Sequence, residues 1–172
     1  MADTDIKKYF LGDESIKYKF PFILKSYTDN KNGGLNAGNG ASINNRVTVH
    51  PLCSSTPKTI STCQWEFDGY IDGMKGKGFI KNKHNLNLFI SANSTDNTVK
   101  YVTKCDDDNC RWNIIPVDGQ VRIVNNNGVG LRLPSNMRAD APIETSWTCN
   151  FPQKIDKNQS IDKNCLWTLD FL

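Results

Sequence analysis

The sequence lacks the features of a membrane protein, a helical protein or a common enzyme class. None of its 172 residues belong to an apolar run long enough to cross a bilayer, so we expect no membrane insertion. Apolar residues nowhere keep the spacing of an amphipathic helix over a useful length. There are only two histidines, with no nucleophile or carboxylate partner evident in the sequence, and no Gly-x-Ser-x-Gly or phosphate-loop motif. We therefore expect no enzymatic activity and no cofactor.

The charge pattern gives no indication of nucleic-acid binding. Twenty-one Lys and Arg residues against 18 Asp and Glu residues give a net charge of +3, and the lysines are scattered rather than clustered in a stripe. A nucleic-acid partner is not expected. The first residues, MADTDIKKYFLGDES, lack the apolar core of a signal peptide, which is typical of a cytosolic protein or of a mature secreted form.

Six cysteines repeat one pattern three times: a cysteine, a loop, and then Cys-x-Trp. The second cysteines are 47 and then 55 residues apart. Upstream of each first cysteine lies a short apolar run beginning at Leu35, Leu88 or Leu131, which precedes that cysteine by 18, 17 or 18 residues. A self-similar period of this length indicates supersecondary units that cannot bury their apolar faces alone.

Within each copy the local pattern is that of β-strands. The stretches RVTVH, TVKYVTK and PIETSWT alternate or carry β-branched and aromatic residues, and the connections are rich in Asn, Gly, Asp and Pro. The glycine-rich stretches at 33–40 and 73–78 are interpreted as turns. About four strands per copy predict a single all-β domain over residues 1–172, a β-trefoil with repeats at about 17–70, 71–117 and 118–172, because propellers usually need at least four blades.

The paired cysteines could hold a metal, form a redox site or form structural disulfides. Zinc sites usually place two to four residues between paired ligands, which the longer loops do not fit, and the aspartates at 106–108 lack the wider ligand ladder of a calcium loop. That acidic loop also disfavours a reactive thiolate. Paired strand ends lie at bridging distance, so we predict one disulfide per repeat and favour a secreted protein, although a cytosolic one is not excluded. The predicted pairs are Cys53 with Cys63, Cys105 with Cys110, and Cys149 with Cys165.

Repeat three resembles the ricin B-chain type of β-trefoil, the family whose repeats end in Gln-x-Trp. The stretches VRIVNNNGVGLRL, APIETSWTC and CLWTL follow the family order, and the resemblance covers roughly residues 20–172. Cysteine replaces the glutamine in all three repeats, at Cys63, Cys110 and Cys165, while the tryptophans are retained. Trp65, Trp112 and Trp167 are expected to be core anchors.

The resemblance implies shallow sugar sites, up to one per repeat, each with an aromatic ring for the sugar face and an amide and a carboxylate for its hydroxyls. Trp147 takes the stacking position of repeat three and Asn164 its amide position. The family aspartate aligns with Gly38, Ser91 and Pro134, none of them acidic; the alternatives for this role are Asn39, Asn93, Asn136 and Asp140. The candidate sugar-binding residues are Trp147, Asn164, Asn136 and Thr145 in repeat three, and Asn109, Tyr101 and Ser91 in repeat two; repeat one, with Pro51 and Thr62, is predicted to have no site.

Two functions remain open. The first is a non-catalytic carbohydrate-binding protein with glycans or glycoproteins as partners, binding best in repeat three. The second is a β-trefoil that binds a protein target through its long loops at 54–62 and 150–164, as a protease inhibitor or a toxin or receptor-binding component.

Overall fold

The structure is a computed structural model that describes residues 18–26, 33–38, 40–72, 75–135, 138–151 and 161–172. Over these residues it has thirteen strands, one four-residue helix and five single 3₁₀ turns, so the prediction of an all-β chain is confirmed. The strands are β1 (Tyr18–Ser26), β2 (Gly34–Asn36), β3 (Thr48–His50), β4 (Trp65–Asp72), β5 (Lys75–Asn82), β6 (Phe89–Asn93), β7 (Thr98–Val102), β8 (Trp112–Val117), β9 (Gln120–Asn125), β10 (Gly130–Arg132), β11 (Ala141–Pro142), β12 (Glu144–Ser146) and β13 (Trp167–Phe171). The helix α1 is Leu52–Ser55, and the 3₁₀ turns are Pro57–Thr59, Ser61–Cys63, Asp108–Cys110, Trp147–Cys149 and Lys163–Cys165.

Six of the strands close a barrel. Antiparallel pairing runs from β1 to β4, β5, β8, β9 and β13, and β13 pairs back to β1. Closure leaves these strands without a free edge and encloses the apolar core. Part of the glycine-rich stretch 73–78 proves to be strand rather than turn, because Gly76 and Gly78 lie in β5. Gly78 pairs with Gly69, and a Cβ on Gly78 would lie 2.5 Å from the Asp68 backbone oxygen, so this close approach requires glycine.

Three hairpins pack against one end of the barrel. They are β2–β3, β6–β7 and β10–β12, with Leu35 opposite Val49, Ile90 opposite Tyr101, and Leu131 opposite Thr145. The second and third hairpins contact each other because β7 pairs with β12, and the first hairpin is joined to unit three because β3 pairs with β11, which lies between β10 and β12 in the chain. For reference below, unit one is residues 17–70, unit two is 71–117 and unit three is 118–172.

The three Cys-x-Trp tryptophans make the same hydrogen bond. The indole Nε1 of Trp65, Trp112 and Trp167 donates to the backbone oxygens of Leu35, Ile90 and Leu131 at 3.0, 3.1 and 3.1 Å, and each indole is at most 1% exposed. These tryptophans are therefore core anchors, as expected. The shared hydrogen bond aligns Ile90, and not Leu88 as assumed from the sequence, with the two leucines.

All three predicted cysteine pairs are disulfides, with Cα–Cα distances of 5.1, 5.6 and 5.2 Å in chain order. In unit one, Cys53 packs on Gly34, where an added Cβ would lie 2.6 Å from the Cys53 backbone oxygen. In unit three, Cys149 packs on Gly130 in the same way. Both of these disulfides are fully buried, whereas Cys105 of unit two is half-buried.

Candidate functional site

Trp147 stands out from the other three tryptophans because it lies at the surface. Its side chain is 76% exposed. It begins the 3₁₀ turn that follows β12, and Ser146 caps this turn by accepting a hydrogen bond from the Thr148 amide at 3.2 Å. The turn ends at Cys149, which is bonded to Cys165. A large aromatic side chain is thus presented to solvent from a firmly held turn.

Asn164 lies in the turn at the other end of this disulfide. Its backbone amide donates to the Asp162 carboxylate at 3.0 Å, and its backbone oxygen accepts a hydrogen bond from the Leu133 amide at 2.9 Å. The Cys149–Cys165 bond therefore joins the turn that carries Trp147 to the turn that carries Asn164. The predicted stacking residue and the predicted amide residue of repeat three are held on the same disulfide-linked pair of turns.

A groove of about 730 Å³ is lined by Ser146, the residue before Trp147, but neither Trp147 nor Asn164 lines it. Thr145, another predicted site residue, is buried along the groove, and Pro134 lines it at the position where the resemblance expects an aspartate. The opposite wall comes from the turn of unit two at residues 96–98. The groove is therefore built by two units, which the repeat-by-repeat prediction did not anticipate.

Part of the charge of the groove is compensated within the protein. The Arg132 guanidinium contacts the carboxylates of Asp162 at 2.8 Å and Glu144 at 3.2 Å. Across the groove, the Thr98 hydroxyl donates to Asp96, and together with the positive charge of Lys100 it lowers the pKa of Asp96 to about 2. Asp96 is thus ionised at neutral pH.

The prediction of Tyr101 as a sugar-binding residue is wrong. Its side chain is fully buried, because its position opposite Ile90 in β7 points it into the apolar core. This burial raises the pKa of its phenol well above the ordinary value of 10.0. Tyr101 is a core residue of unit two.

The remaining predicted residues are dispersed. Ser91 is half-buried in β6 opposite Lys100, and the alignment through Ile90 puts Asn93, rather than Ser91, at the aspartate position of unit two. The amide oxygen of Asn109 accepts a hydrogen bond from Asn127 at 2.7 Å, so it is already engaged within the protein. Asn136 and Asn39 lie outside the described residues.

Unit one has a cleft that the sequence prediction missed. About 180 Å³ in volume, it is lined by His50, Leu52 and Thr62 of unit one and by Asp140 of unit three. A carboxylate therefore borders this cleft, although unit one itself has Gly38 at the aspartate position. The sequence analysis named Asp140 as an alternative carboxylate, but it did not predict that Asp140 would lie beside unit one.

Among the described residues, no helix is long and apolar enough to span a membrane, and no group of three His, Cys, Asp or Glu side chains is arranged to hold a metal ion. No family model matches the chain, and no curated protein sequence matches it.

Several solved structures share its fold. The Rhizoctonia solani agglutinin has a TM-score of 0.61 over 90% of this chain and 96% of its own, at 14% identity. The Polyporus squamosus lectin bound to Neu5Aca2-6Galb1-4GlcNAc has a TM-score of 0.57 over 89% of this chain and 49% of its own, at 14% identity.

A mosquitocidal holotoxin has a TM-score of 0.63 over 89% of this chain, at 17% identity, but the chain spans only 17% of the holotoxin's length. At such low sequence identities, these comparisons show a shared fold and nothing more.

Proposed function

We propose that the chain is a ricin-B-like β-trefoil with three repeats that binds glycans without catalysis, through a shallow site in unit three. Trp147 supplies the surface for the apolar face of a sugar ring, while Asn164 and Thr145 supply hydrogen-bonding groups. The likeness to an agglutinin and a lectin supports this function. Three disulfides support secretion into an oxidising compartment.

The observation that carries the proposal is the 76% exposure of Trp147 on a capped, disulfide-linked turn. An exposed tryptophan in an aqueous globular protein forgoes the free energy of burial, which suggests that it is retained for a contact with a partner. A rigid aromatic ring flanked by hydroxyl and amide groups offers the two kinds of surface that a pyranose presents, an apolar face and a ring of hydroxyls.

A glycan array probed with the wild-type chain and with Trp147→Ala tests this function. We expect the wild type to bind a defined set of glycans and Trp147→Ala to weaken that binding by about 30-fold, since an aromatic anchor contributes about 2 kcal/mol or more. Trp147→Phe, which keeps a ring, is expected to lose less.

Thr103→Ala is the matched control. Thr103 lies two residues before Cys105, as Trp147 lies two before Cys149, and it is also exposed. Its replacement should leave the array pattern unchanged. A chain that binds no glycan, or one whose binding is indifferent to Trp147→Ala, contradicts the proposal.

The second candidate function is binding to a protein target through loops. It is favoured by the absence of a carboxylate at Gly38, Asn93 and Pro134, and by the likeness to a toxin. In the loop 54–62, the side chain of Gln64 donates to the backbone oxygens of Pro57 and Lys58, so this loop has a defined shape; most of the loop 150–164 lies outside the described residues. Inhibition of a protease panel, lost when residues 54–62 are replaced by a short turn, would favour this candidate.

A further inference from the structure

The groove beside Trp147 adjoins two further clefts on the hairpin end of the molecule. Pro142 lines both the groove and a cleft of about 440 Å³. Gly38 and Asp140 in turn line both this middle cleft and the smaller cleft of unit one. The three depressions therefore follow one another from Ser146 in unit three to Leu52 in unit one.

The walls of these depressions are mainly hydroxyl, amide and charged groups. Asn44, Asn45 and Thr48 line the middle cleft, together with Arg46 and Lys100. Both cations are ion-paired to the single carboxylate of Asp96, at 3.2 and 3.4 Å, so this group of three keeps one net positive charge. The hydroxyl and amide groups of this lining suit a hydroxyl-rich chain better than an extended peptide, which is usually recognised through a sheet edge or apolar pockets.

Asp140 carries an uncompensated negative charge, as Arg138 in the groove carries an uncompensated positive one among the described residues. Its carboxylate makes no hydrogen bond or ion pair with the described residues, although its backbone amide is fixed by a 2.9 Å hydrogen bond to the Val49 oxygen. The residue is exposed, has a φ of 61°, and stands at the junction of the middle and small clefts. A carboxylate on a fixed backbone position, with unused acceptor capacity, can accept hydrogen bonds from sugar hydroxyls.

Leu52, which is 47% exposed, lies with Ile60 at the unit-one end of the path and gives that end an apolar surface. At the other end Ser146 lines the groove, and the exposed Trp147 follows it in the chain without lining the groove itself. An apolar surface beyond the Asp140 carboxylate matches the apolar faces and the hydroxyls of linked pyranose rings.

We propose that the ligand is a linear oligosaccharide of several sugar units that lies along all three clefts, from Ser146 past Asp140 to Leu52. This inference rests on the proposed glycan-binding function and specifies the ligand class. A single terminal sugar would occupy only the groove beside Trp147, whereas an extended chain gains contacts in each cleft.

Its test is a set of linear oligosaccharide ladders of glucose, galactose, mannose and N-acetylglucosamine, each from one to six units, measured by titration calorimetry. In at least one ladder we expect affinity to rise by about tenfold or more between two and six units, because each added unit makes new hydrogen bonds. Asp140→Asn and Leu52→Ala should each weaken binding of the six-unit sugar by about fivefold while leaving the two-unit sugar unaffected.

Asp118→Asn and Leu86→Ala are matched controls. Asp118 is likewise exposed with a positive φ of 47°, and Leu86 is 40% exposed, but neither lines the three clefts. Asparagine tolerates the left-handed conformation, so Asp140→Asn is expected to fold. Circular dichroism and thermal melting verify this before binding is measured.

Each outcome separates this inference from the function on which it rests. Equal affinity for two and six units, with no effect of Asp140→Asn, overturns the extended groove and leaves the Trp147 site standing. Length-dependent binding that survives Trp147→Ala but is weakened by Asp140→Asn supports the groove and contradicts the proposed site. No binding to any ladder overturns the groove, and a glycan array that is also blank overturns both.

Discussion

Unit two and unit three share one internal framework and differ at their surfaces. In each, an indole donates to a backbone oxygen of the hairpin, at Ile90 or at Leu131. The preceding residue is Phe89 in unit two but Gly130 in unit three, and only the glycine leaves room for a buried disulfide. Core contacts therefore maintain the fold, while neighbouring positions change which groups the surface presents.

The largest predicted effect tests whether the two frameworks are energetically equivalent. Trp112→Ala and Trp167→Ala should each lower the free energy of unfolding by about 3–5 kcal/mol, because each removes a fully buried indole and its hydrogen bond. Urea denaturation followed by circular dichroism measures both. Trp147→Ala, at an exposed site, serves as the control and should change stability little. Costs that differ strongly between Trp112 and Trp167 would argue against equivalent frameworks.

The disulfides of the two units should contribute different amounts to the stability of the protein. Replacing Cys149 and Cys165 by alanine opens a longer loop than replacing Cys105 and Cys110, since the sequence separations are 16 and 5. Chain entropy gives losses of about 3 and about 2 kcal/mol respectively. Thermal denaturation of the two double variants measures the difference. Under mild reduction without denaturant, Cys105–Cys110 should open first because Cys105 is half-buried and the other disulfide is fully buried; the reverse order would contradict this.

A smaller loss of stability is expected when the glycine that packs against a buried disulfide is replaced. Gly130→Ala places a methyl group against the Cys149 side chain and should cost about 2 kcal/mol through overpacking. Gly34→Ala in unit one should behave alike, since its Cβ would lie 2.6 Å from the Cys53 backbone oxygen. Denaturant melts of both variants provide the measurement. If neither variant loses stability, then the glycine does not explain why these disulfides are buried.

Features that repeat were predictable from the sequence. The three tryptophans and three cysteine pairs recur at fixed places, because the same burial and the same hairpin closure are needed in each unit. The clefts were not predictable, since they form where turns from different units meet, as Asp140 of unit three meets His50 of unit one. Which turns meet depends on strand pairing over long sequence separations, which repeat alignment does not specify.

The sequence contains a signal for the burial of Tyr101. This residue precedes Cys105 by four residues, as Val49 precedes Cys53 and Thr145 precedes Cys149. Valine at that position indicates an inward-facing residue, and the register of the three hairpins agrees. An aromatic ring is compatible with sugar stacking, whereas strand alternation favours a place in the core.

Removing the Tyr101 hydroxyl of unit two should raise the free energy of unfolding of the protein. This hydroxyl is buried and has no hydrogen-bond partner among the described residues, so it carries a desolvation cost. Tyr101→Phe should therefore raise the free energy of unfolding by about 1 kcal/mol, as measured by urea denaturation. Glycan binding should be unchanged, because the side chain does not reach the surface. A loss of stability would reveal a bonded hydroxyl.

The smallest predicted effect concerns Asp96, where unit two forms the groove wall opposite unit three. Its folded pKa of about 2 is below its ordinary value of 3.8, so its carboxylate favours folding above about pH 4, and this contribution is lost as the pH falls through 2. Thr98→Val removes the hydroxyl that contributes most and should raise the pKa towards 3.8, measured by carbon-13 NMR titration. Thr103→Val, at an exposed threonine in the same unit, should leave it unchanged. If the pKa of Asp96 is already near 3.8 in the wild type, then the Thr98 hydroxyl does not stabilise the Asp96 carboxylate in this wall of the groove.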